Sequence, residues 1–145
     1  MISDASLKDS VAIADIEKEC FSLPWSKNAI EKAIKDPSYT VLCKYCDGEV
    51  CAYITALNTP DSVDICNIAV REEFRRRGFA SELLRELIRR FENKKVFLEV
   101  RSKNTAAISL YEKMGFCFAG KRKSFYSNPT DDAFILTLDA KVGTD

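Results

Sequence analysis

Residues 75–81 read Arg75, Arg76, Arg77, Gly78, Phe79, Ala80 and Ser81, a composition suited to holding an anion. A glycine lets the main chain approach a ligand with no Cβ in the way, and three adjacent arginines add a positive field. Where a helix begins, the first four N–H groups have no internal partner and the dipole leaves partial positive charge, so phosphate binds there readily. A basic loop bending at a glycine between two core elements is the plainer alternative, and the glycine spacing alone does not separate the two.

The chain contains no histidine. Ser-His-Asp and Cys-His catalysis, His-based zinc sites and an imidazole base are thereby excluded, and proton transfer must use carboxylate, tyrosine, lysine, cysteine or water. Six cysteines stand at positions 20, 43, 46, 51, 66 and 117, with Cys43 and Cys46 at C-x-x-C spacing. Residues 41–45 and 50–55 read as hairpin strands around an Asp47-Gly48 type I′ turn, which sends Cys43 and Cys46 to opposite faces and leaves Cys46 and Cys51 diagonal on one. The cysteines are read as buried free thiols, with no metal, and a zinc or redox role for Cys46 and Cys51 is the alternative.

These residues need elements to position them. Residues 64–70 are apolar and β-branched enough for a buried strand leading into the arginine turn. After the turn, Ala80, Leu83, Leu84, Leu87, Ile88 and Phe91 recur on one face of a helix whose other face is charged. Residues 96–101 form another strand, and strand, helix, strand implies a right-handed parallel crossover. Earlier, residues 8–20 have helical spacing, and Ser26 caps a second helix carrying Ile30, Ala33 and Ile34. Between these helices, residues 21–25 form an apolar loop in which Pro24 discourages a continuous helix. Asn104 caps a later helix that presents Tyr111 inward and ends at Gly115, and residues 116–120 and 133–139 supply closing strands. The class is α/β with a mixed sheet, antiparallel at its beginning and parallel in the middle.

With 145 residues and no Gly-, Pro- or Ser-rich linker, residues 1–145 read as a single domain with a substantial core. Net charge is zero, yet eleven of the 22 basic residues fall between Arg71 and Lys103, which favours a small polyanion over nucleic acid as partner. No apolar run approaches the roughly 20 residues that cross a bilayer, so a cytoplasmic protein without membrane partners is expected.

Four motifs then combine: Asn67-Ile68-Ala69-Val70, Arg75-x-x-Gly78-x-Ala80, Leu98-Glu99-Val100-Arg101-x-x-Asn104 and Leu110-Tyr111-x-x-x-Gly115-Phe116. In this order they resemble the GNAT acetyltransferases over nearly the full length. Pro24-Trp25-Ser26 and Arg122-x-x-Phe125-Tyr126 are similar to the RimI branch, which acetylates the terminal alanine of a ribosomal protein. The resemblance implies acetyl-CoA as acetyl donor, with its acetyl and pantetheine portion on Ile68, Ala69 and Val70. It places the pyrophosphate on the turn formed by Arg75, Arg76, Arg77, Gly78, Phe79, Ala80 and Ser81, and the pantetheine arm near Asn104. Ala80 replaces the family's commoner glycine. The resemblance also implies Glu99 as general base and Tyr111 as general acid, with an acceptor groove between Phe21, Leu23 and Trp25 on one side and Phe125 and Tyr126 on the other. Phe125 stands where many relatives have tyrosine.

The residues themselves agree with that chemistry. Glu99 sits in a strand between Leu98 and Val100, where partial burial is expected to raise its pKa. Read without the resemblance, Glu99 pairs with Arg101 on its own strand and Tyr111 is a core aromatic. The expected partner is a protein N-terminus, that of a ribosomal protein, and the expected state is a monomer or weak dimer. Two other readings are an acetyltransferase for a lysine or small amine, and a non-catalytic acyl-CoA-binding module.

Overall fold

In the computed structural model, residues 1–127 and 129–141 are described. The chain opens with a short strand, β1 (Ile2–Asp4), and a 3₁₀ turn (Leu7–Asp9) that leads into α1 (Ser10–Cys20). Helix α2 (Lys27–Lys35) begins where expected, because Ser26 Oγ accepts the Ala29 N–H at 3.1 Å and satisfies one free amide of the first turn. Strands β2 (Tyr39–Cys46) and β3 (Glu49–Asn58) form the hairpin. Asp47 and Gly48 both have positive φ, +53° and +78°, as a type I′ turn requires.

Next come β4 (Ser62–Val70), α3 (Phe79–Arg90), β5 (Lys95–Arg101), α4 (Thr105–Lys113), β6 (Cys117–Tyr126) and β7 (Asp131–Leu138). All seven strands join one sheet in the order β1-β2-β3-β4-β5-β7-β6. Among the described residues only β4 and β5 pair in parallel, and the other neighbouring strands are antiparallel. The mixed sheet with a central parallel pair is therefore as the sequence predicts. Two local expectations need correction, and one strand, β1, goes unpredicted because three residues are too few to show a pattern. Phe91 caps α3 from outside the helix. Strand β6 runs six residues past Gly120, through a nearly wholly exposed segment with Lys121, Arg122 and Lys123, where no apolar alternation marks a strand.

Side chains alternate across the sheet and build a core on each face. Leu42, Ala52 and Ile54 face Leu83, Leu84 and Leu87 of α3, together with Leu98 and Tyr111. Val41, Cys43 and Tyr53 face Ile13 and Ile16 of α1 and Ile30 of α2. Each fully buried Leu or Ile contributes on the order of 2 kcal/mol through apolar burial, so the helices are fixed on the sheet by packing more than by propensity.

Candidate active site

The parallel pair is short. Ser62, Val63, Asp64 and Ile65 pair with Lys95, Val96, Phe97 and Leu98, and beyond that point the two central strands separate. The divergence begins at a bulge: Ile65 faces Ala56 and Asn67 faces Thr55, leaving Cys66 as the extra residue on β4. Just past the strand, the Arg71 N–H donates toward β3, to the Cys51 carbonyl at 2.9 Å. Strand alternation then aims the amides of Ile68 and Val70 the other way, into the gap. A free strand edge thus lies in the middle of a seven-stranded sheet.

The gap belongs to a cleft of about 1530 Å³. One end meets the start of α3. Arg76 has φ +67° and Gly78 φ +80°, and the first helical bond is donated by Glu82 to the Gly78 carbonyl at 3.1 Å. The amides of Phe79, Ala80 and Ser81 therefore precede the hydrogen-bonded part of the helix. A Cβ built on Gly78 meets no atom within 4 Å, so the turn faces open space and glycine is favoured there by its φ.

The three arginines diverge. Arg76 lines the cleft. Arg75 also lines it but folds back: its Nε donates to the Val70 carbonyl at 3.1 Å and its Nη2 approaches Cys20 Sγ at 3.3 Å, which ties the turn to the free edge of β4. Arg77 departs from the expectation and does not line the cleft. Its guanidinium lies 5.2 Å from the Phe74 ring, which itself lines the cleft, and approaches the Glu73 carbonyl, which does not. Asn104 does line the cleft, with its Oδ1 accepting the Ala107 N–H at 3.2 Å as the cap of α4.

Glu99 and Tyr111 open onto the same cleft. The Glu99 carboxylate is exposed rather than buried between its strand neighbours, because β5 alternates and position 99 falls on the open side. Its partner is Arg122, whose Nε lies 3.3 Å from Oε2, across the sheet from β6. Arg101, its expected neighbour, instead donates to the Ser127 and Pro129 carbonyls and stacks 4.6 Å from the Tyr126 ring. Tyr111 is 6 % exposed, edge-on to Phe116 with ring centres 5.8 Å apart. Burial pushes its phenol up to about 12, with the charge of nearby Tyr126 adding to the effect. The core and site readings of Tyr111 are thus compatible: the ring is packed and the residue still lines the cleft.

Phe21, Leu23 and Trp25 line the cleft on the α1 side, and Phe125 and Tyr126 on the β6 side. Trp25 is braced edge-on by Tyr39, with ring centres 6.3 Å apart, while Leu23 is 72 % exposed. All residues named from the sequence except Arg77 are therefore brought to one cavity. Two side chains were missed. Arg122 had no visible link to Glu99. Glu17 stands four residues after Ile13, on the buried stripe of α1, and a lone carboxylate on an apolar face is the signal that marks it. Among the described residues no group of three or more Cys, Asp or Glu side chains is arranged to hold a metal ion.

With this geometry in place, comparison with known proteins is decisive. The model of the acetyltransferase (GNAT) family matches residues 10–116. The chain belongs to the GNAT family. It is an acetyl-CoA-dependent N-acetyltransferase of the RimI-like type. The [ribosomal protein bS18]-alanine N-acetyltransferase of Salmonella typhimurium is 34% identical over 142 residues, covering 94% of this chain and 95% of that protein. A putative Bacillus subtilis enzyme of the same name is 30% identical, covering 93% and 92%. The crystal structure of the Escherichia coli ribosomal-protein-S18-alanine N-acetyltransferase superposes with a TM-score of 0.91 at 29% identity, over 100% of this chain and 96% of that one. In this GNAT chain the separated central strands and the glycine turn at a helix start occupy one continuous cavity, as a thioester donor with a diphosphate tail requires.

Proposed function

We propose that this enzyme transfers the acetyl group of acetyl-CoA to the N-terminal α-amino group of a cytoplasmic protein, a ribosomal protein beginning with alanine, by direct attack on the thioester. The observation that carries the reading is one cleft that joins the turn at the start of α3 to an apolar acceptor wall, with Glu99 and Tyr111 lining it between them. Likeness to the bS18-alanine enzymes over 94% of the chain supports the acceptor class.

On this reading, the amides of Phe79, Ala80 and Ser81 and the Arg76 guanidinium hold the diphosphate. The amides of Ile68 and Val70 bind the pantetheine and polarise the thioester carbonyl. Residues Phe21, Leu23, Trp25, Phe125 and Tyr126 wall the acceptor. An α-amino group with a pKa of about 7.7–8.0 is partly neutral at physiological pH, so Glu99 needs only to take the proton released on attack, directly or through water. Tyr111 keeps its proton throughout the neutral range and gives it up only as charge develops on the departing sulfur. No acyl-enzyme is needed, which suits a site without histidine and whose two lining thiols, Cys20 and Cys66, are both pushed up by burial.

The test is release of CoA thiol with a panel of acceptors: alanine-starting peptides, the same peptides blocked at the N-terminus, lysine peptides and polyamines. Turnover with free alanine termini and none with blocked ones is expected. Turnover only with a polyamine or a lysine side chain would overturn the acceptor assignment.

A further inference from the structure

Beyond the groups that face the cleft, one buried carboxylate connects its walls. Glu17 is 1 % exposed and lies on α1. Its Oε1 accepts the Trp25 N–H at 2.7 Å and its Oε2 accepts Asn67 Nδ2 at 2.8 Å. Its main-chain carbonyl also accepts the Phe21 N–H at 2.9 Å, where α1 ends. A single residue thus holds both ends of the 21–25 loop and joins that loop to β4 at the residue after the bulge, one position before the free edge begins.

We infer that Glu17 is a positioning residue, which fixes the distance and angle between the acceptor wall and the strand edge that receives the thioester. The argument rests on the acceptor loop being the wall described above. The reasons are physical. Burying a carboxylate raises its cost, and here burial does hold the Glu17 carboxyl above the ordinary range, opposed by the two donors. An apolar residue would fill the same place on α1 without that penalty, but would leave the half-buried Trp25 amide and Asn67 carboxamide without the partner that links them. The 21–25 loop has no regular secondary structure: Phe21 and Trp25 pack against the core on the α1 face, Leu23 is 72 % exposed, and the Glu17 bridge from Trp25 to Asn67 adds a directional tie to β4. Reacting groups tolerate little misplacement, and a shift near 1 Å can cost about a hundredfold in rate.

The experiment compares wild type, Glu17→Ala, Glu17→Gln and Asn67→Ala in steady state, with each substrate varied against saturating amounts of the other. Removing the tie is expected to raise the acceptor KM roughly tenfold or more while leaving the acetyl-CoA KM within about twofold. Glu17→Gln is expected to recover most of the loss, because glutamine oxygen can accept from Trp25 and a flipped Asn67 can accept from its amide. Equal changes in both KM values, or a glutamine variant as impaired as alanine, would overturn the inference. Should Glu17→Ala fail to fold, Asn67→Ala cuts the same tie from the strand side, and an unchanged acceptor KM there refutes it. Failure of the acceptor assignment looks different: wild type would then refuse peptides but turn over another amine, on which the same split is read.

Discussion

At the level of single residues, Glu99 and Tyr111 have opposite surroundings. Glu99 is exposed and meets Arg122, so Glu99→Gln should leave the fold intact and lower kcat/KM by about 10²–10⁴-fold, checked by thermal unfolding beside the CoA-release assay. Tyr111 is packed, and its phenol titrates near 12 when folded against 10.0 in the open chain. The folded state therefore favours the protonated phenol: this stabilisation is complete below pH 10 and disappears as pH rises through 12. The stability advantage of wild type over Tyr111→Phe is expected to shrink by roughly 2 kcal/mol between pH 9 and 12, measured by denaturant titration. A constant difference would show that the phenol is not held in that environment. The sequence disclosed both residues through their place in ordered motifs, but not their settings, because the Glu99 partner lies on a strand that its own pattern did not reveal. Glu17 is hidden for a different reason: apolar spacing marks the buried face of a helix, and a carboxylate on that face interrupts the spacing.

Among the elements, two glycines with positive φ separate conformational strain from ligand contact. Gly115 has φ +101° and ends α4, where the amides of Gly115 and Phe116 donate to the Glu112 and Tyr111 carbonyls, both at 3.0 Å. A Cβ there would lie 3.2 Å from Leu138 Cδ1, so Gly115→Ala is expected to lose about 1–3 kcal/mol of stability without altering the acetyl-CoA KM. Gly78→Ala faces no such neighbour and should lose about 1 kcal/mol, yet raise the acetyl-CoA KM several-fold, because its methyl group enters the space assigned to the diphosphate. Isothermal titration with CoA and thermal unfolding of both variants check the pair. Capping chemistry at Ser26, Asn104 and Gly115 was legible because each cap is a local residue preference. The far half of β6 was not, since an exposed edge strand buries neither face and loses the period-two pattern.

For the molecule as a whole, element order and the mixed sheet could be read from the chain, because strand, helix and strand in succession leave few topologies. What the sequence withheld was the length of the parallel pairing. A bulge at Cys66 is set by how β3 and β4 fit together, and no residue preference announces it. Among the described residues no helix is long and apolar enough to cross a membrane. The separation of β4 from β5 also makes a claim about motion. Amides in the centre of a large sheet ordinarily exchange their hydrogens with solvent only on global unfolding. Here Ile68 and Val70 are central in the strand order but unpaired on the side they face, so their deuterium uptake should resemble that of an edge strand, and slow sharply once a ligand supplies the missing strand.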